Sequence, residues 1–204
     1  MHKNDNGKNI ILCGLGGQGV VLSSDILADY FLAQGYDLKV SDIMGLGQRG
    51  GSVVTHIRYG KKILSPLVRE GTADLIIAFE KIEAIRWAHL LKPDGICCVN
   101  SYVETPTTVT SGLQTMIDVE QYFNILKQKS DVQIIDIDKF IQVHNLLRQV
   151  SNIIMLGYVS KVFNWVPEVF YEILAGRVKE EYLVMNKEAF NLGRELALKV
   201  CAKK

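Results

Sequence analysis

Apolar runs of strand length alternate with helix-period segments along the first half of the chain. Asn9 to Cys13 reads as a buried strand, and Val20 to Gln34 as a helix that Gly35 ends. A second strand is expected at Leu38 to Ser41 and a third at Ser52 to Tyr59. In the third, Val53, Thr55, Ile57 and Tyr59 share one face, and Val54, His56 and Arg58 the other. Gly60-Lys61-Lys62 is a turn from which Ile63 to Leu64 pairs back as a short edge. Asp74 to Phe79 is apolar enough for a strand buried on both sides. A helix over Lys81 to Leu91 follows, with Ile82, Ile85, Ala88 and Leu91 at helical spacing. Lys92 to Gly95 turns the chain into a strand at Ile96 to Asn100.

The second half changes character. Ser101 to Ser111 has only weak alternation, Val119 to Gln128 reads as a helix, and Val132 to Ile137 as one more strand. Beyond it the pattern is helical: Asp138 to Val150, Ile153 to Phe163, a helix with Pro167 in its first turn, and a last one from Glu180 onward. The aromatics Phe163, Trp165, Phe170 and Tyr171 fall close together there, as core or as a partner-facing patch. Strand–helix alternation followed by helices predicts an α/β fold: a three-layer Rossmann-like domain with a mostly parallel sheet and a helical C-terminal third. With no repeat and no long linker, residues 1–204 are read as a single domain.

Composition narrows the chemistry. A formal net charge of +1 gives no field for nucleic acid or an anionic membrane. No apolar run reaches spanning length and the polar start is no signal peptide, so a cytoplasmic location is expected. Cys13, Cys97, Cys98 and Cys201 lack the spacing of a zinc or iron-sulfur site, and His2, His89 and His144 lack metal-ligand spacing, so no metal is assigned to this chain.

Two glycine-rich segments carry the candidate site. Gly14, Gly16 and Gly19 fit G-x-G-x-x-G between a strand and a helix, with Gly17 and Gln18 inside it. Backbone amides at such a turn, together with a helix N-terminus, suit an anionic group. The second segment, Gly45 to Ser52, holds four glycines in eight residues. Gly45, Gln48, Arg49, Gly50, Gly51 and Ser52 are its candidate ligand contacts, with the Arg49 guanidinium suited to phosphate or carboxylate. A solvated turn is the plain alternative. An NAD site would need an acid at the end of the second strand, and Asp42, the nearest, comes late and leads straight into the second segment.

His56 and Arg58, aimed at one surface, are possible supporting residues. Glu80, at the carboxyl end of a strand, either touches a ligand or caps the helix after it, with capping favoured. No Ser-His-Asp order, H-E-x-x-H or P-loop pattern occurs, and no residue is assigned a catalytic role.

Gly14-Leu15-Gly16-Gly17-Gln18-Gly19-Val20-Val21, followed by Gln48-Arg49-Gly50-Gly51-Ser52 and the strand to Arg58, resembles the gamma domain of 2-oxoacid:ferredoxin oxidoreductases. Ala73 to Glu80, Glu83-Ala84 with Arg86, and Lys92 to Asn100 continue the likeness, and Asn152 to Gly157 is compatible with it. The Gln48 to Ser52 form looks most like the branch acting on indolepyruvate.

The resemblance implies a complex that oxidatively decarboxylates a 2-oxoacid, an arylpyruvate in kind, to an acyl-coenzyme A. Thiamine diphosphate, Mg and iron-sulfur clusters would sit in a large partner subunit, which passes electrons to ferredoxin. This chain would be inactive alone, binding no cofactor by itself, with coenzyme A contacts at the glycine segments. A homodimer of the isolated chain is left open. The rival readings are a stand-alone NAD- or flavin-dependent oxidoreductase and a nucleotide-binding module.

Overall fold

The computed structural model describes residues 7–45 and 50–201, without the side chains of residues 200 and 201. Gln48 and Arg49 therefore lie outside the described residues. The strands are β1 (Lys8–Leu15), β2 (Asp37–Met44), β3 (Ser52–Gly60), β4 (Ala73–Ala78), β5 (Leu91–Asn100) and β6 (Asp131–Ile135). The helices are α1 (Val20–Ala33), α2 (Lys81–Trp87), α3 (Thr107–Thr110), α4 (Val119–Lys127), α5 (Ile137–Val143), α6 (Ser151–Val162), α7 (Pro167–Arg177) and α8 (Glu180–Cys201).

The strands form one six-stranded sheet in the order β2-β3-β1-β4-β5-β6. β1, β4, β5 and β6 run parallel, while β3 pairs antiparallel with both β1 and β2. The β2–β3 ribbon thus stands beside β1, where a dinucleotide fold would place its second parallel strand. Residues of β1 alternate between two cores. Ile10 and Leu12 face one that contains α1, α6, α7 and α8, and Ile11 and Cys13 face one that contains α2 and α4. Burial on both faces is why β1 is apolar throughout instead of alternating. β3 divides in the expected way, with Val53 and Ile57 in the first core and Val54 in the second.

Helix α6 is buried from Asn152 to Ser160 and packs against α8 at backbone distance. A Cβ on Gly157 would stand 2.0 Å from the Phe190 carbonyl oxygen, and one on Gly193 2.1 Å from that of Ile154. Two reciprocal glycines set the spacing of these helices. The C-terminal aromatics fill the interface with α1: Tyr30 stacks on Phe170 at 4.5 Å, and Trp165 lies 5.6 Å from Tyr30. Phe170 is fully buried, and Phe163, Trp165 and Tyr171 pack against the same core, so the core reading of this cluster holds.

Several boundaries differ from the sequence pattern. Ile63 and Leu64 form no strand. The Ile63 amide instead donates to the Asp37 carboxylate at 2.6 Å, which holds that carboxyl below its usual range, and Leu64 is exposed. The helix expected to reach Leu91 stops at Trp87, continues as a 3₁₀ turn over Ala88–Leu90, and gives way to β5. Asp136 ends β6 early because its side chain caps α5, accepting from the Lys139 amide at 3.0 Å. α5 ends at Val143, with Asn145 in the left-handed region at φ 51°, and so does not run on to Val150.

Candidate functional site

The carboxyl ends of β1, β4, β5 and β6 open onto a rim where parallel α/β sheets place their ligands. Two clefts lie there, of about 460 and 490 Å³, sharing Leu15, Gly50 and Glu104 in their walls. The first is also lined by Gly16, Gly17, Gln18, Phe79, Asn100, Tyr102, Ile137, Asp138, Arg148, Gln149 and Ser151. The second adds Gly51, Ser52, Glu80, Ile82, Glu83, Arg86 and the segment 105–108.

The two glycine segments meet at this rim. The Gly16 amide donates to the Gly51 carbonyl at 2.8 Å, and the Gly50 amide to the Gly16 carbonyl at 3.4 Å. Gly45 closes the base of the second bend, donating to the Ser52 carbonyl at 2.8 Å. The first bend is held from within. Gln18 Oε1 accepts from the Leu15 amide at 2.8 Å, and the Gln18 amide donates to the Leu15 carbonyl at 3.1 Å. Gly17 and Gly50 have φ of 98° and 72°, and a Cβ at either would meet nothing within 4 Å. The space in front of both is the cleft. Among the described residues nothing accepts from the Gly17 amide.

Gly14 and Gly19 serve packing. A Cβ on Gly14 would come within 3.1 Å of Phe79, and one on Gly19 within 2.6 Å of the Asn152 side chain. Gly19 is the N-cap of α1, whose first turn has no side-chain cap and no acidic residue. A 14-residue helix therefore presents an uncapped, partially positive end at the edge of the first cleft.

Side chains that sequence patterns do not single out complete the first cleft. Arg148 lies over the Tyr102 ring at 4.9 Å and pairs with Asp138 at 3.5 Å. Its side chain is two-thirds exposed, so the guanidinium is accessible to a ligand. Tyr102 donates its hydroxyl to Glu104, a bond that raises its pKa. Asn100 Oδ1 accepts from the Ile137 amide at 3.2 Å and joins β5 to the start of α5. The only local hint of Arg148 is its place just ahead of Ser151 and Asn152, polar residues before an apolar helix.

On the side of the second cleft, Glu80 caps α2. It accepts from the Glu83 amide at 2.8 Å and from the Glu104 amide at 3.1 Å. Burial raises its pKa, against the lowering effect of these amides. Glu83 accepts from the Ser52 hydroxyl and, at 3.0 Å, from Arg86. His56 and Arg58 line neither cleft. His56 is buried, with Nδ1 accepting from the Val68 amide at 3.2 Å, while Arg58 donates to Asn9 and to the Ser65 carbonyl. Asp42 accepts from Thr55 on the outer ribbon and lines neither cleft. Cys13, Cys97 and Cys98 are buried and in no disulfide, and burial pushes the Cys97 thiol up to about 12. Among the described residues no group of His, Cys, Asp and Glu is placed to hold a metal ion, and no helix is long and apolar enough to cross a membrane.

Comparison with known proteins places this architecture. The chain is 30% identical over 194 residues to indolepyruvate oxidoreductase subunit IorB of Pyrococcus horikoshii, across 93% of this chain and 95% of that protein. The Thermococcus kodakarensis subunit of the same name is 29% identical over the same shares. The fold matches the gamma subunit of the keto/oxoacid ferredoxin oxidoreductase of Geobacter sulfurreducens, with a TM-score of 0.68 and 21% identity over 94% of this chain and 99% of that one. It also matches the 2-oxoglutarate:ferredoxin oxidoreductase of Magnetococcus marinus, solved with 2-oxoglutarate, coenzyme A and succinyl-CoA bound. There the TM-score is 0.73 and the identity 20%, over 96% of this chain and 32% of that one. Residues 9–196 match the family described as pyruvate ferredoxin/flavodoxin oxidoreductase, and the chain belongs to that family.

Proposed function

We propose that this chain is the small subunit of a 2-oxoacid:ferredoxin oxidoreductase acting on indolepyruvate or a related arylpyruvate, and that its first cleft receives a phosphate group of coenzyme A. The Gly16–Gly51 bond carries the second part of the reading, because it joins two glycine bends in front of the uncapped end of α1. Amides that point at a ligand and a helix N-terminus favour negative charge together. Arg148 adds an exposed guanidinium to the cleft wall, and Arg49 belongs to the second glycine segment by sequence. The substrate assignment rests on the full-length likeness to the indolepyruvate subunits.

The chain works within a larger assembly. A large partner subunit holds thiamine diphosphate with Mg and the iron-sulfur clusters, and delivers electrons to ferredoxin. Thiamine supplies the decarboxylation chemistry there. The role of this chain is to bind and orient the acyl acceptor and to wall the shared site. Glu104 and Asp138 line the same cleft, and Asp138 pairs with Arg148, so a phosphate that takes the guanidinium competes with that carboxylate.

Co-expression with the partner tests this directly. Arg49→Ala and Arg148→Gln should each raise the KM for coenzyme A in the assembled enzyme by about tenfold or more. Unchanged KM and turnover in both would end the coenzyme A assignment. The assembly itself is checked by purification, which should yield a large iron-containing companion.

A further inference from the structure

The second cleft has two lips, Gly50 to Ser52 and the segment that begins at Glu104. Both are fastened to the first turn of α2 by carboxylates. Glu83 takes the Ser52 hydroxyl on one oxygen and Arg86 Nε, at 3.0 Å, on the other. Glu80 takes the Glu83 amide at 2.8 Å and the Glu104 amide at 3.1 Å. Glu80 is 1% exposed and Glu83 2%. Two acids so deeply buried within one helical turn are costly unless their oxygens are satisfied, and both are. One acid is enough to cap a seven-residue helix, and Glu80 does that. Capping leaves Glu83 unexplained.

Glu83 has a direct route to the candidate ligand site. Its carboxylate fixes the Ser52 side chain, 31 positions away in sequence. The neighbouring Gly51 carbonyl accepts from Gly16, and Gly16 precedes Gly17, which lines the first cleft. Displacing Ser52 would loosen Gly51 and, through their shared bond, Gly16. A side chain that only filled space would not transmit such a constraint.

We infer that Glu83 is a positioning residue that, through Ser52, holds the Gly50–Gly51 and Gly16–Gly17 backbone in the geometry that binds coenzyme A. This rests on the coenzyme A reading of the first cleft. Glu83 touches no ligand itself. Its contribution is preorganisation: the bends are already placed when the ligand arrives, so less ordering is required on binding.

The test is a double-mutant cycle in the complex assembled with the large partner. Glu83→Gln and Ser52→Ala should each raise the KM for coenzyme A about tenfold with a much smaller fall in kcat. The double variant should do no worse than either single one, because both break the same bond. Ser52→Thr, which keeps a hydroxyl, should restore most of the wild-type KM. A wild-type KM in Ser52→Ala, or effects that multiply in the double variant, would overturn the inference, and Ser52→Ala keeps the test decisive if Glu83→Gln misfolds. Gly17→Ala and Arg148→Gln, measured alongside, separate the two ideas. If they raise KM and the Ser52 and Glu83 variants do not, only the positioning role falls. If none raises it, the coenzyme A reading falls as well.

Discussion

The amide of Gly16 and the carbonyl of Gly51 are 2.8 Å apart, although 35 positions separate the two residues. Each belongs to a bend that is unremarkable by itself. The bond between them makes one surface from two, because β3 lies against β1 with Leu15 opposite Ser52 and brings the ribbon's bend to the end of β1. The antiparallel placement of β3 is therefore what assembles the site.

Gly17 should be intolerant of a side chain for two separable reasons. An L-residue at φ 98° is strained, at a cost of about 1–3 kcal/mol, and a methyl group there would project into the cleft. Gly17→Ala is expected to lower the urea midpoint modestly and to raise the KM for coenzyme A disproportionately. Equilibrium unfolding and steady-state kinetics on the same preparation distinguish the two effects. A stability loss with an unaltered KM would place the ligand elsewhere.

Arg148 should act through charge. Its guanidinium is poised over Tyr102 and pairs only loosely with Asp138 at 3.5 Å. Arg148→Lys keeps the charge but loses the planar fork, so it should recover part of the affinity that Arg148→Gln loses. The wild-type KM should climb with ionic strength and the Arg148→Gln KM should climb less steeply. Parallel salt dependences would argue against a phosphate at this position.

Much of this arrangement was legible in the chain, and the illegible parts share a cause. The β1-bend-α1 unit shows because a doubly buried strand, a G-x-G-x-x-G turn and an amphipathic helix are all local signals. The faces of β3 and the capping by Glu80 show for the same reason. Arg148, Tyr102 and Glu104 reach the cleft from loops and a 3₁₀ turn, and Asn100 from the end of β5, at positions that depend on how β5, β6 and α6 pack. No periodicity reports that. His56 and Arg58 showed as a polar pair on one strand face, yet their partners, Val68 on one side and Asn9 and Ser65 on the other, lie away from both clefts. The supposed edge at Ile63 was a side-chain bond to Asp37, which strand propensity does not anticipate.

Stability depends heavily on the α6–α8 contact. Alanine at Gly193 would place Cβ 2.1 Å from a backbone carbonyl oxygen, and backbone cannot swing aside as a side chain does. The helices must separate instead, opening a packed core. Gly193→Ala and Gly157→Ala should each cost about 1–3 kcal/mol or more by overpacking. Once one methyl has pushed the helices apart the second is partly accommodated, so the double variant should lose less than the sum. Urea denaturation of the three variants checks this, and strict additivity would mean that the two sites relax independently.

The acid side of the stability profile should carry a signature of His56. The residue is 5% exposed and its Nδ1 accepts from the Val68 amide, which requires that nitrogen to be unprotonated. Burial lowers its pKa below 6.5, so the unfolded chain binds the proton more readily than the folded one. The contribution is therefore fully present above about pH 6.5 and is lost as the pH falls from there through the lower folded value. His56→Gln offers Val68 a neutral acceptor that does not titrate. Urea midpoints measured from pH 7.5 down to about 5 should decline in the wild type and flatten in the variant, before carboxylate protonation takes over at lower pH. A variant that declines as steeply as the wild type would mean that some other group in the fold binds its proton less readily than in the unfolded chain.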